Sequence, residues 1–293
     1  MINCKLLLKA IRESFTKGLS VVGAVYSSSK ILKELLPDIG ALLECNLSFI
    51  VCLFGIAFLS NMAFAVHKLY YREITIPQTN KSIGIRFGNI LSKTDGSILV
   101  GINNTLEYRM DKIGKNSIQY QLAKKYGMPW MRQLFENEKS KIVNPVTKNR
   151  VYPYGYTFDG LSPDKKSHFV FLVMSGLKSA KVPETKPYYL DTAIDHLFRA
   201  NNFRCINNRL YMPALGTGSV ALPLSKQNSA RNISHIFARN TLDESTSVHD
   251  LKIIFRWHSF DKVDLAGLYE DFIAYSRVCH TCHLSLDLQQ NMK

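Results

Sequence analysis

The sequence predicts an α/β protein: a three-layer α/β/α domain on a mixed sheet, preceded by an N-terminal transmembrane helical hairpin. From Ile74 onward, short β-rich runs alternate with helical patterns, which is typical of a sheet with helices on both faces. Several of these runs are almost continuously apolar, as strands covered on both faces are. Before them, Asn46–Val66 contains no charged residue, and as a helix it would span roughly 30 Å.

The hairpin is assigned to residues 1–75, with candidate helices at about 18–43 and 46–66. The second is the stronger candidate, with a buried core helix as its alternative. The first is interrupted by charges that are costly inside a membrane, so an amphipathic helix at the membrane surface is its alternative. These charged residues are Lys30, Lys33, Glu34 and Asp38.

Basic residues flank both candidate helices, which predicts that both ends of the hairpin face the cytoplasm. A cleaved signal peptide does not fit, because the longest apolar run begins some 45 residues into the chain and lacks a clear A-x-A site. The prediction is therefore a multi-pass protein of the bacterial inner (cell) membrane, in contact with membrane lipid, whose soluble domain is cytoplasmic.

The α/β domain is assigned to residues 76–293, and its elements follow in order along the chain. Ser225 is a plausible N-cap for the third helix, whose apolar stripe includes Ile233 and Phe237. The predicted strands are Ile83–Phe87, Ser97–Gly101, His168–Met174, Leu210–Met212 and Leu251–Arg256. The predicted helices are Ser117–Tyr126, Thr192–Ala200, Ser225–Asn240 and Asp264–Cys279.

Charge favours an anionic partner for the α/β domain. Residues 1–75 carry a net charge of +3, which leaves +11 of the formal +14 to the rest of the chain. Because no arginine-rich run or aromatic ladder accompanies this charge, we expect no nucleic-acid partner. Cys279–His283 fits the C-x-x-C-H spacing of haem attachment, but its place in a polar tail favours coincidence, with a metal site as the alternative. We therefore expect no metal site.

A phosphate-binding loop is predicted where the strand at Leu210 runs through Pro213 into a glycine-containing turn. Two glycines around a small hydroxyl residue allow a tight turn whose backbone N–H groups point inward, which suits a diphosphate. A simple turn is the alternative reading of this short pattern. The candidate ligand-binding residues here are Leu215, Gly216, Thr217, Gly218 and Ser219.

Pro213–Gly218, directly after a strand, resembles the second ligand loop of macro domains. Ile83–Ile90 and then Ile98–Leu106 resemble that family's opening strand, adenine corner and first ligand loop, in the same order. The resemblance implies a macro-like fold and an ADP-ribose derivative as ligand, with no further cofactor. It adds these candidate ligand-binding residues: Asn89, Ile90, Gly101, Ile102, Asn103 and Asn104.

Two departures from the macro pattern bear on chemistry. Asn89 stands where the family usually has an adenine-binding aspartate, and it keeps an acceptor oxygen without the charge. Val100 falls where catalytic macro hydrolases carry an asparagine, and no glycine run follows. We therefore expect no catalytic residues and no enzyme. The alternatives are a membrane-anchored ADP-ribosyl hydrolase and a membrane-tethered interaction module.

The whole chain is similar to the membrane-anchored macro-domain effectors of bacterial Thoeris anti-phage systems. The likeness rests on the hydrophobic N-terminus, Asn103-Asn104-Thr105, Lys115–Gln121 and Ala214–Gly218. It implies that a TIR-domain partner makes an ADP-ribose-derived signal, histidine-linked in this branch, and that its binding triggers homo-oligomerisation and membrane disruption. Because Ser219, Val220 and Ala221 stand where that family tends to have basic residues, phosphate contacts are expected more from backbone N–H groups or from Lys226 and Arg231.

Overall fold

The computed structural model describes residues 11–12, 14–20, 23–24, 27, 47–141, 151–179, 182–184, 186–200, 205–216, 222, 224–242 and 246–291. The chain divides into two compact units, Met1–Tyr71 and Arg72–Lys293. Candidate helix 18–43 lies mostly outside the described residues. Most of the strands and helices belong to the second unit.

The first unit contains helix α1 (Leu47–Tyr70), which covers the second candidate span. The ring of Phe15 meets that of Phe54 edge-on, with centroids 5.5 Å apart. Among the residues that the structure describes, no helix has both the length and the apolar character that crossing a membrane requires. The prediction of a multi-pass inner-membrane protein is therefore wrong, and the predicted transmembrane hairpin is not supported.

The α/β part of the chain contains eight strands and five further helices within the described ranges. The strands are β1 (Tyr71–Thr75), β2 (Ser82–Phe87), β3 (Ser97–Asn103), β4 (Thr157–Leu161), β5 (His168–Ser179), β6 (Val182–Glu184), β7 (Arg209–Pro213) and β8 (Asp250–Phe255). The helices are α2 (Ile118–Tyr126), α3 (Met128–Lys141), α4 (Pro187–Arg199), α5 (Lys226–Leu242) and α6 (Leu265–Asn291).

The strands form one mixed sheet in the order β1-β2-β8-β7-β3-β5-β4, and β6 pairs with β5. Strands β2, β8, β7, β3 and β5 run parallel to their neighbours, whereas β4 and β6 are antiparallel to β5. The carboxyl ends of five neighbouring strands therefore meet at one edge of the sheet.

Helices cover both faces of this sheet. On β3, Ile98, Val100 and Ile102 belong to a buried cluster that also contains residues of α2 and α3. Leu99 alternates with them along the strand and is buried outside that cluster. Helix α4 contacts β5, and α4, α5 and α6 pack against one another in that order. The predicted three-layer α/β organisation with a mixed sheet is confirmed.

Polar contacts fix the amino ends of the central strands. Ser97, fully buried at the start of β3, accepts a hydrogen bond from the N–H of Ile206 at 2.9 Å. Its Oγ also lies 2.7 Å from Nδ1 of His168, the first residue of β5. Next to this pair, the Arg209 guanidinium bridges Asp95 and Asp250. These bonds keep the starts of β3, β5, β7 and β8 aligned with one another at the amino edge of the sheet.

The strands and helices predicted for residues 76–293 all occur, with boundaries that differ by a few residues except where β5, α4 and α6 are longer. Four elements were missed: β1, β4, β6 and α3. Cys279–His283 lies within α6, but its side chains fall outside the described residues.

We expect Phe171→Ala to lower the free energy of unfolding by about 3–5 kcal/mol, because truncating a buried phenylalanine leaves a cavity. Phe171 is fully buried, and its ring lies 5.3 Å from that of Phe135 and 4.8 Å from that of Phe158. Urea unfolding of the full chain measures the loss. The matched control, Tyr188→Ala, removes a side chain that is 72% exposed, and it should cost less than about 0.5 kcal/mol. Equal losses in the two variants would contradict this packing.

Candidate functional site

A cavity of about 410 Å³ opens at the carboxyl edge of the sheet. Its walls come from the ends of β2, β3, β5, β7 and β8, and from the first turns of α2 and α5. Open α/β sheets bind their ligands at this edge, where the loops that follow parallel strands converge. The volume falls within the range of small-molecule sites, roughly 300–1,000 Å³.

The wall at the end of β2 is formed by Gly88, Asn89 and Ile90. The N–H of Gly88 donates to the carbonyl of Phe255 at 2.8 Å, which extends the pairing of β2 and β8. The side-chain oxygen of Asn89 then accepts from the N–H of Leu91 at 3.0 Å and starts a 3₁₀ turn. The Asn89 side chain therefore stabilises the turn that follows β2, at the wall of the cavity.

Part of the cavity wall comes from Gly101 and Met174, on the neighbouring strands β3 and β5. A Cβ atom at Gly101 would lie 2.3 Å from the sulfur of Met174, which is closer than any real contact. The Met174 side chain therefore lies across the backbone of β3 at Gly101, and a larger residue there would have to displace it.

The loop after β7 contributes Ala214, Leu215 and Gly216. The carbonyl of Leu215 accepts from Oγ of Ser229 at 2.7 Å, which ties the loop to α5. Gly216 has φ of +76°, and a Cβ atom there would meet Leu190 and Leu222 at 2.8 and 2.9 Å. Both the backbone conformation and the lack of space require glycine.

The start of α2 also lines the cavity, through Asn116, Ser117 and Gln121. Oγ of Ser117 caps the helix by accepting from the N–H of Tyr120 at 3.0 Å. Arg256, at the end of β8, donates from Nη2 to the carbonyl of Asn116 at 3.0 Å. This contact joins the two walls of the cavity.

Two basic side chains line the cavity, Lys226 and Arg256, and none of the lining residues that the structure describes is acidic. Nζ of Lys226 donates to Oγ of Ser259. Burial lowers the pKa of Lys226, and the positive charges of Lys262 and Arg256 lower it further. These charges favour an anionic ligand.

Arg231, the second candidate for phosphate contacts, is engaged elsewhere. Its guanidinium donates to the carboxylate of Asp271 on α6 and to the side chain of Asn228. It is not among the described lining residues. Lys226, the first candidate, lines the cavity.

Of the sequence-predicted ligand residues, Asn89, Ile90, Gly101, Leu215 and Gly216 line the cavity. Residues Thr217, Gly218 and Ser219 lie outside the described residues. The other three, all from the loop that ends β3, are not among the described lining residues: Ile102, Asn103 and Asn104.

Asn103 organises its own loop. Its side-chain oxygen accepts from the N–H and hydroxyl of Thr105 at 3.2 and 2.9 Å, and from the N–H of Glu107 at 3.0 Å. Asn104 is held by backbone bonds to Ser175 and Tyr152. Ile102 is buried in the core cluster under α2 and α3. These three residues set the path of the loop.

The lining residues that sequence reasoning missed include Met174, Arg256 and Gln121. Arg256 ended a predicted strand, so its place at the carboxyl edge was available as a signal. The overlap of Met174 with Gly101 depends on strand register, which no local pattern reveals. Gln121 reaches the cavity because α2 begins beside it.

The fold and the cavity together define a macro-like domain: a three-layer α/β/α sandwich with a mixed sheet and a cavity of small-molecule size at the carboxyl edge. The family described as "Thoeris protein ThsA, Macro domain" matches residues 83–256, more than half of the chain. The chain belongs to this family. A comparison with curated proteins gives no match.

Solved structures with a similar fold are also macrodomains. The Oceanobacillus iheyensis macrodomain with MES bound is 13% identical at a TM-score of 0.45, over 70% of this chain and 96% of that one. The same macrodomain with ADP is 12% identical at 0.45, over 70% and 95%. The macrodomain of Thermus aquaticus DarG is 14% identical at 0.39, over 58% and 97%.

We expect Gly101→Ala to destabilise the chain by about 1–3 kcal/mol, because the added methyl group overlaps the Met174 sulfur. Met174→Ala in the same chain should remove most of this penalty. Urea unfolding of the two single variants and the double variant measures the coupling. Gly88→Ala is the matched control, because a Cβ atom there meets nothing within 4 Å. Additive effects of Gly101→Ala and Met174→Ala would show that the two residues do not overlap.

Proposed function

We propose that the cavity binds an ADP-ribose-type nucleotide and that this chain acts as a nucleotide sensor in Thoeris defence. The observation that carries the proposal is the lining of the cavity: a positive-φ glycine loop and two basic side chains converge there, and no described lining residue is acidic. Such a lining suits a diphosphate, because N–H donors and cations both stabilise its charge.

The proposed orientation of the ligand follows from the two ends of the cavity. The adenosine lies at the nucleoside end, which we define by the lining residues at the ends of β2 and β8, Gly88–Ile90 and Phe255–Arg256. The diphosphate lies against Ala214–Gly216, where the backbone turns at positive φ. The terminal ribose then points toward Met174 and Gly101.

The composition of the lining favours binding without hydrolysis. Its described residues include no carboxylate, histidine or cysteine, the side chains that most often act as general base or nucleophile. The side-chain oxygen of Asn103 already accepts three hydrogen bonds within its own loop. Hydrolysis of an ADP-ribosyl bond is the alternative activity, and ligand integrity distinguishes the two.

The resemblance to Thoeris effectors extends the proposal to the rest of the system. We propose that a TIR-domain partner makes the signal, with the histidine-linked form as the first candidate, and that binding drives self-association. Sedimentation velocity of the full chain with and without ligand tests whether binding drives self-association. We do not propose membrane disruption, because it requires the transmembrane hairpin that the described helices do not support.

We expect ADP-ribose or its histidine conjugate to bind the full chain in calorimetric titration and to remain intact after prolonged incubation. Arg256→Ala should weaken binding by about tenfold, as expected for the loss of one hydrogen bond to a charged group. The matched control is Arg132→Ala, an exposed arginine of α3 that should leave the affinity unchanged.

Chromatography of the incubated ligand reports its integrity. Absence of binding by both nucleotides would refute the proposed function. Binding followed by turnover would favour the hydrolase.

A further inference from the structure

Gln121 stands between two contacts that hold helix α2 against the nucleoside end of the cavity. Just before the helix, the carbonyl of Asn116 accepts from Nη2 of Arg256 at 3.0 Å. Near the carboxyl end of the helix, Nζ of Lys125 donates to the carbonyl of Leu91 at 3.1 Å, in the 3₁₀ turn that follows β2. Gln121 lies between these contacts along α2 and lines the cavity. The helix therefore runs from the end of β8 toward the end of β2, with Gln121 on the way.

Two backbone carbonyls fix the orientation of the Gln121 amide. Its Nε2 donates to the carbonyl of Ser117 at 3.1 Å and to that of Asn116 at 3.4 Å. Because a carbonyl oxygen only accepts, the amide nitrogen must face these groups and Oε1 must face away from them. Among the residues that the structure describes, none donates to this Oε1. Gln121 therefore offers a hydrogen-bond acceptor to a ligand in the cavity.

The lining residues on the two sides of Gln121 offer hydrogen-bond donors. At the end of β2, the side-chain oxygen of Asn89 accepts from the N–H of Leu91, so its amide nitrogen is the group that remains for a ligand. At the end of β8, Arg256 uses Nη2 for the carbonyl of Asn116, and a guanidinium has five N–H donors in all. The nucleoside end thus presents a donor, an acceptor and a donor, in the order Arg256, Gln121, Asn89.

Adenine is the purine whose edge complements this order. Its 6-amino group donates, and the ring nitrogens on the two sides of that group, N1 and N7, accept. A 6-oxopurine such as hypoxanthine has an oxygen acceptor at position 6 and a proton on N1. In the same place, that oxygen would face Oε1 of Gln121 with no proton between them, and leaving two acceptors unsatisfied in this way costs affinity.

We propose that Gln121 selects the base: its Oε1 accepts from the 6-amino group of adenine, while Asn89 and Arg256 donate to the ring nitrogens on either side. This inference rests on the proposed function and names the residue that reads the nucleobase. Because the Asn89 oxygen is engaged within its own turn, the amino group is recognised from α2 and not from the corner after β2. The cavity therefore distinguishes adenine from hypoxanthine through Gln121.

The test is calorimetric titration of the full chain with ADP-ribose and with its hypoxanthine analogue, inosine diphosphate ribose, which differs in the base alone. We expect ADP-ribose to bind at least about tenfold more tightly, because the analogue leaves acceptors unsatisfied. Gln121→Met keeps the length of the side chain but removes its acceptor, and it should bring this ratio of affinities close to one. Gln121→Glu retains an acceptor and should preserve the ratio, although its charge lowers both affinities.

Gln133→Met is the matched control, because Gln133 is an exposed glutamine of α3 that is not among the described lining residues; its ratio should equal that of the unmodified chain. Thermal unfolding of each variant verifies that it is folded. A purely structural role of Gln121 would lower both affinities together and leave the ratio unchanged in Gln121→Met. That result, or equal affinities of the unmodified chain for the two nucleotides, would overturn this inference and leave the proposed function intact. Binding of neither nucleotide would overturn both.

Discussion

The parallel pairing of β2, β8, β7 and β3 is the constraint on which the rest of the structure depends. Parallel strands need long crossover connections, so helices must cover both faces of the sheet. Because all four strands run the same way, the segments that follow them emerge at a single edge. At the opposite edge of the sheet, contacts of Ser97 with His168 and Ile206 hold the starts of the strands in position. Because the strands are parallel, residues that are far apart in sequence line one cavity.

Close packing at the edge then determines which residues can line the cavity. A side chain at Gly101 would have to displace Met174, and Gly216 favours glycine because its backbone has positive φ beside Leu190 and Leu222. The same crowding leaves backbone groups near the cavity surface, where they can reach a ligand. The basic residues add charge to this surface from α5 and β8. The two glycines that fit this close packing are therefore also residues that line the cavity.

Periodicity and loop chemistry predicted most of the central layer, because buried parallel strands are short apolar runs and the helices between them carry apolar stripes. The edge strands β1 and β4 were not predicted, because they are partly exposed and carry polar residues such as Arg72 and Asp159. Helix α3 starts with Met128-Pro129-Trp130 directly after Gly127, so its start has a proline but no Ser, Thr, Asp or Asn cap, and it was not separated from the end of α2. At the site, glycine patterns found the loops, but Met174 and Arg256 depend on register and on long-range contact. Charge-free composition also suggested a transmembrane hairpin, which the described helices do not support.

The central claim is that the carboxyl-edge cavity is a nucleotide site, and a crystal structure of the full chain grown with ADP-ribose tests it most directly. The account predicts electron density in the cavity, with the adenosine between Asn89 and Arg256 and the diphosphate against the backbone at Gly216. Density for the nucleotide at any other surface, with this cavity unfilled, would contradict the account.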